Sequence, residues 1–333
     1  MVETLARQRA ALHDVEGRVV DARGWLGVER HANSLLRHLA TWGGGPRAQS
    51  VLSEVMGHRG ELEAARERAV KELAGFDPTM LDEARCRLGI RLALMGKGGA
   101  GKTVISSTLA RLLGRRGQPV FAADLDANPG LAISLGLAPT DAGLPPEALV
   151  EQAGSAYGWV LAPGLSPREV VERFGIRGPD NVHFLGIGKL GPGDRSGTRQ
   201  SISALLQVLL NFAEPEWHVI ADMEAGPTGP FESYHAFSDD VLVVVGPAWR
   251  SAMTARRLLP MVGEGRTTTI VANRFRNEPD HPGLSPAVRI PFDPEVAEAE
   301  RQGLSPLDAC PDSPTMTAIA QLAELCVNQE VRA

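Results

Sequence analysis

The chain has 333 residues, 43% hydrophobic and 22% charged, a globular composition that excludes a disordered chain and sets a prior of about two domains. Its 40 acidic side chains outnumber 34 basic ones, for a net charge of −6, which disfavours a nucleic-acid binder working by bulk charge. No apolar run approaches the ~20 residues of a membrane span, no leader-like apolar core follows the first residues, and three widely spaced cysteines (Cys86, Cys310, Cys326) fit no disulfide or zinc framework. A soluble cytoplasmic protein with no membrane contact is the expectation.

Residues 1–88 read as helix. Leu5, Leu12, Val15 and Val19 form one stripe at helical spacing, Leu35, Leu36 and Leu39 a second, and Leu62, Ala65, Ala69 and Leu73 a third. Gly43-Gly44-Gly45-Pro46 separates the second from the third, and Asp77-Pro78 opens a short fourth segment. The simplest reading is an all-α N-terminal domain without chemistry of its own. From Ile90 the texture changes to short apolar runs alternating with helical patterns, which predicts βα units. Strands are expected over 90–95, 119–124, 182–188, 217–222, 240–245, 267–272 and 287–290. Helices are expected over 103–115, 198–212, 251–261, 294–302 and 314–326, and the Pro- and Gly-rich stretch 139–180 reads as an insertion or a mobile segment. Residues 89–333 are therefore expected to form a doubly wound α/β domain around a mostly parallel sheet.

The strongest motif is Gly96-Lys97-Gly98-Gly99-Ala100-Gly101-Lys102-Thr103, directly after the apolar run Leu92-Ala93-Leu94-Met95. It satisfies the phosphate-loop pattern and stands where that pattern must stand, between a buried strand and a helix. Glycines let backbone N–H groups close on phosphate oxygens without a Cβ in the way, and the helix that follows points its positive end at the same anion. Gly98, Gly99, Ala100, Gly101, Lys102, Thr103 and Val104 are the expected phosphate-binding run. Lys102 would reach the β- and γ-phosphates and the Thr103 hydroxyl would hold Mg²⁺.

Lys97 is a second lysine inside the loop. With it, Lys97-Gly98-Gly99-Ala100-Gly101-Lys102-Thr103 resembles the deviant Walker A loop of the MinD/ParA/ArsA group of P-loop ATPases. That resemblance implies ATP/ADP and Mg²⁺ as ligands and an ATP-dependent homodimer in which Lys97 reaches the partner's nucleotide. A solvated surface lysine is the plainer alternative for Lys97. Asp124 and Asp126 end the second strand; carboxylates at i and i+2 leave it on the same side, at the edge where α/β sheets bind ligands. The resemblance makes Asp126 the residue that positions the attacking water, Asp124 a supporting contact to the metal's water shell, and Asp222 a second acidic Mg²⁺ contact. Gly226 would offer its N–H to the γ-phosphate. For the base, the resemblance implies Asn273 on the adenine edge, with Arg274, Pro291, Phe292 and Asp293 around base and ribose; an amide carries both the donor and the acceptor that adenine needs.

Asp222-Met223-Glu224-Ala225-Gly226, the Asp124-Leu125-Asp126 segment with Asn128 and Leu131, and the run after Pro291 resemble the CooC-type ATPases in particular, so the likeness covers roughly 90–327. The Cys-x-Cys pair of that subgroup is missing: its place is taken by the run from Gly193 to Ser201, whose hydroxyls do not replace thiolates for nickel. The C-terminal segment holds one basic residue and is unlike the membrane-binding tail of MinD-like proteins; Arg250, Arg256 and Arg257 are the nearest candidates for DNA contact. The resulting expectation is a slow, partner-stimulated ATPase switch that matures a client enzyme, with a positioning or partition ATPase as the alternative.

Overall fold

The computed structural model describes residues 89–126, 130–140, 143–151, 159–188, 195–212, 214, 216–226, 234–262 and 267–330. The helical segments expected over 1–88, and Asn128, lie outside these residues. A compact unit runs over Ile90–Cys326.

Apolar runs build its centre. In β1 (Arg91–Gly96) every residue after the first is buried, and β2 (Val120–Leu125), β7 (His218–Met223) and β8 (Asp240–Val245) are buried throughout. Continuous burial, rather than alternation, is what strands covered on both faces require. One face carries Ala93, Met95, Phe121, Ala123 and Val219 against Leu205, Leu209, Ala255 and Leu258. Alternation turns Leu92 and Leu94 to the opposite face, where both are fully buried.

The remaining strands are β3 (Leu149–Glu151), β4 (Trp159–Leu161), β5 (Ile176–Arg177), β6 (Val182–Gly186), β9 (Thr267–Phe275) and β10 (Val288–Pro291). Eight strands form one sheet in the order β10-β9-β8-β1-β7-β2-β6-β5. All neighbours are parallel except the short edge strand β5, which runs antiparallel to β6. The chain leaves β1 for β2 and later inserts β7 between them, then crosses back to β8 on the far side of β1. That reversal opens a crevice at the carboxyl ends of the central strands.

The helices are α1 (Lys102–Gly114), α2 (Leu131–Ser134), α3 (Pro167–Phe174), α4 (Arg195–Asn211), α5 (Trp249–Val262), α6 (Pro294–Arg301), α7 (Pro306–Ala309) and α8 (Pro314–Glu330). Each expected strand and helix after residue 89 is present, with ends shifted by four residues at most. The stretch read as an insertion carries more order than its composition suggested. β3 and β4 pair as an antiparallel ladder, and α3 opens on a capping box in which Ser166 Oγ accepts from Glu169 N while the Glu169 carboxylate accepts from Ser166 N.

α1, which follows the glycine-rich loop, is fixed at its far end by charge. Arg111, 4% exposed, donates through Nε to Asp180 (2.7 Å) and through Nη1 to Asp308 (2.5 Å) and Ser305 (3.0 Å). The Arg111 guanidinium holds the Asp308 carboxyl below the ordinary aspartate range. Such a group stabilises the fold above its unfolded pKa, and that stabilisation is lost as pH falls through the lower folded value. Arg111→Met should cost about 2–3 kcal/mol at pH 7, read as a lowered urea midpoint. The gap to wild type should narrow once the pH falls below about 4, where aspartates protonate in the unfolded chain.

Candidate functional site

Sheet register brings the acidic strand ends together. Asp222 on β7 stands opposite Leu94 of β1 on one side and Asp124 of β2 on the other. Both carboxylates are buried, Asp124 completely and Asp222 to 2% exposure. Thr103, in the first turn of α1, donates its hydroxyl to Asp222 Oδ2 at 2.6 Å. The other oxygen, Asp222 Oδ1, is buried without a hydrogen-bond partner.

Asp124 is engaged differently. Its carboxylate accepts N–H bonds from Asp126 (3.0 Å), Gly130 (3.1 Å) and Leu131 (3.0 Å), so it ties the end of β2 to the start of α2. Burial pushes its pKa up to about 6 against the pull of those three bonds. Asp222 rises to about 7, first from burial and then from the neighbouring Asp124 charge, while the Lys102 ammonium and the Thr103 hydroxyl pull the other way. A buried carboxylate oxygen without a donor, flanked by a hydroxyl and a second acid, fits a hard divalent cation with oxygen ligands. Asp126 is half-buried beside this pair.

Glycine is required in the loop at two points. A Cβ on Gly96 would lie 2.4 Å from the Val244 carbonyl of β8. Gly101 has φ 89° and begins α1 without any side-chain cap, and the first turn holds no acid, leaving its N–H groups for an anion. Lys102 is buried at 6% exposure at the mouth of that turn. Lys97 is half-buried and donates to the Gly98 carbonyl at 3.2 Å. Gly226, with φ 93°, donates its N–H to the Gly96 carbonyl at 3.1 Å, so β7 and β1 are joined just beyond their ends and a phosphate would have to replace that bond.

Beside the loop lies a shallow cleft, open to solvent. Val104, Asn273, Arg274, Pro291, Phe292 and Asp293 all line it, so the expected base residues converge although 17 positions separate Arg274 from Pro291. Their partners add detail. Asn273 donates to the Ala100 carbonyl (2.7 Å), Arg274 to the Gly99 carbonyl (3.2 Å), and Asp293 caps α6 by accepting from Glu295 N (2.9 Å). Several contributors in and beside the cleft escaped the sequence reading, three of them instructive. Glu300 pairs with Arg274 at 2.6 Å, Arg276 stacks 4.1 Å over the Phe292 ring, and Ile319 closes the cleft from α8. Only the last had a visible signal, the apolar stripe of the C-terminal helix.

The Gly193–Ser201 stretch lies partly outside the described residues, and of its side chains only that of Ser201 is described, half-buried on α4. Among the described residues no group of three or more His, Cys, Asp or Glu could hold a metal. Cys310 and Cys326 are buried and unbridged. No described helix is long and apolar enough to cross a membrane.

The family model described as the CobQ/CobB/MinD/ParA nucleotide binding domain matches residues 92–307, well over half of the chain. An ATP-binding protein of Methanocaldococcus jannaschii is 28% identical over 232 residues, covering 64% of this chain and 90% of the relative. The carbon monoxide dehydrogenase accessory protein CooC of Rhodospirillum rubrum is 28% identical over 246 residues, covering 67% of this chain and 91% of the relative. Among solved structures, the cell division ATPase MinD of Pyrococcus furiosus superposes with a TM-score of 0.54 at 21% identity, covering 73% of this chain and 99% of that one. A ParA family ATPase from Chlorobium tepidum gives a TM-score of 0.54 at 18% identity, covering 70% and 98%. With its phosphate loop, buried acids and sheet order, the chain belongs to the CobQ/CobB/MinD/ParA nucleotide-binding domain family and has the MinD/ParA type of P-loop fold.

Proposed function

We propose that this protein is a magnesium-dependent ATPase switch whose ATP-bound form pairs with a second copy of itself and acts on a client protein. The observation that carries the reading is the Thr103–Asp222 contact beneath a capless helix N-terminus, with Lys102 buried beside it. Phosphoryl transfer asks a protein mainly for positioning and charge neutralisation, and these residues supply both.

The roles divide by chemistry. The N–H groups of the loop and the start of α1 bind phosphate oxygens, and Lys102 offsets their charge. Thr103 and Asp222 are the residues that would hold Mg²⁺, with Asp124 behind them. When bound, the ion draws off charge that gathers on the β- and γ-oxygens. Asp126 orders the attacking water as a hydrogen-bond acceptor. Asn273, Arg274, Pro291, Phe292 and Asp293 take the base and ribose. Lys97 is held by a neutral carbonyl rather than by an acid. Leaving that bond for a partner's phosphate exchanges a neutral acceptor for a charged one, which favours assembly with nucleotide.

The choice of client class follows the sequence relatives. CooC is a carbon monoxide dehydrogenase accessory protein, and its likeness here extends over 67% of the chain, which supports a role in maturing an enzyme or complex. A positioning ATPase would instead bind DNA or a lipid surface in its ATP state.

Lys102→Ala should weaken ADP binding by about 100-fold, as expected for a lost charge-assisted contact in a desolvated site. Lys97→Ala should change ADP affinity by less than about threefold while abolishing ATP-dependent dimers, since an exposed contact contributes little within one subunit. Calorimetry and sedimentation velocity read the two effects. Asp126→Ala should lower turnover by about 10²–10³-fold and accumulate dimer with ATP but not with ADP. Identical sedimentation profiles in the two nucleotides would remove the switch. ATP-dependent binding to DNA or to anionic liposomes would replace the client reading with a positioning one.

A further inference from the structure

We propose that Asn273 and Arg274 are positioning residues of the phosphate loop, clamping two successive carbonyl groups so that the loop's N–H groups are fixed for phosphate. The proposal rests on the phosphate-binding reading above and assigns these two residues a task beyond facing the base.

β9 is distorted where it reaches the loop. In its pairing with β10, Ile290 stands opposite Asn273 and Pro291 opposite Phe275, so Arg274 is an extra residue without a counterpart. Its φ is 62°, a left-handed value that side chains other than glycine seldom take. Along a regular strand adjacent side chains leave on opposite faces; a bulge re-aims them. Here the result is that neighbours in sequence reach the same loop. Asn273 Nδ2 donates to the Ala100 carbonyl at 2.7 Å and Arg274 Nη1 to the Gly99 carbonyl at 3.2 Å. The second guanidinium nitrogen pairs with Glu300 on α6 at 2.6 Å, which fixes the arginine from behind.

Holding a carbonyl also holds the next N–H. The peptides are trans and planar, so the Gly101 N–H faces away from the clamped Ala100 carbonyl. The Ala100 N–H closes the turn onto the Lys97 carbonyl at 3.0 Å. With both carbonyls drawn toward β9, neither is left to turn its negative end toward an incoming phosphate. The fit is close: a Cβ on Gly101 would lie 2.2 Å from Asn273 Nδ2 and 3.3 Å from Arg274 Nε. Thus the glycine before Lys102 serves the clamp as well as the anion. Asn273 retains a second amide hydrogen and its oxygen for a base, so only a ligand without a base isolates the clamp.

Inorganic tripolyphosphate with Mg²⁺ is that ligand, titrated by calorimetry into the full-length protein beside ADP. Arg274→Gly and Asn273→Asp should each weaken tripolyphosphate by about tenfold, the effect of one charge-assisted or buried hydrogen bond, and weaken ADP by a similar factor. Arg274→Gly also relieves the left-handed backbone, so its thermal midpoint should stay at or above that of wild type while affinity falls. It remains the deciding variant if the buried charge of Asn273→Asp prevents folding. Wild-type affinity for tripolyphosphate in the variants, with ADP alone weakened, would overturn the clamp and leave base recognition. Affinity lost together with thermal stability in Arg274→Gly would reduce it to scaffolding. A wild-type protein that binds neither tripolyphosphate nor ADP would instead overturn the phosphate-binding reading itself.

Discussion

Two carboxylates on neighbouring parallel strands set the terms for this molecule. Asp124 and Asp222 are in register, buried, and pushed up in pKa to about 6 and 7. Unit charges on adjacent strands, ~5 Å apart, repel by about 3 kcal/mol at an effective dielectric near 20. A sequence selected only for stability would place apolar residues there, as it does at Ala123 and Ala221 one step earlier on the same strands. The repulsion is offset from three directions: backbone N–H groups on Asp124, the Thr103 hydroxyl on Asp222, and the Lys102 charge. All three come from segments that follow a strand end. The loops are therefore shaped by the acids as much as the acids are placed by the sheet.

The topology supplies the rigidity this requires. β1 lies between β7 and β8, so the loop that follows it is flanked on both sides by buried strands. Gly96 permits the close approach to Val244 that holds its first residue. Arg111 binds the far half of α1 to Asp180, in the turn before β6, and to Asp308 of α7, 128 residues further along the chain. A helix fixed at its carboxyl half keeps Lys102 and Thr103 in place at the amino end without a capping side chain, leaving that end open to an anion.

Much of this was legible because the physics is local. Buried parallel strands are unbroken apolar runs, so 240–245 is read from sequence with both ends correct. Glycine spacing before Lys102 encodes a backbone path directly. What escaped was either nonlocal or conformational. Arg111 finds partners 69 and 197 residues away, separations that no periodicity reports. The bulge at Arg274 depends on the register of β10 against β9, and the residue itself gives no hint of a positive φ. Two of the three N–H bonds on Asp124 come from Gly130 and Leu131, six and seven residues on at the start of α2, a backbone arrangement that side-chain types do not report. One miss was avoidable: Ser166-Pro167-Arg168-Glu169 is a capping box with proline at the first helical position, and it marks α3 inside a stretch read as an insertion.

The bond between Gly226 N–H and the Gly96 carbonyl bears on why such a switch would need two subunits. On the proposed reading, a γ-phosphate competes with a neutral carbonyl for that N–H. A charge-assisted bond exceeds a neutral one by roughly 1 kcal/mol, enough to shift a two-state equilibrium about fivefold and no more. One subunit would then respond to ATP over ADP only weakly. Closing two copies face to face adds a second such exchange and the transfer of each Lys97 from a neutral carbonyl to a phosphate. Contributions of that size multiply as equilibrium constants, so four small preferences in one assembly give a response that none of them gives alone.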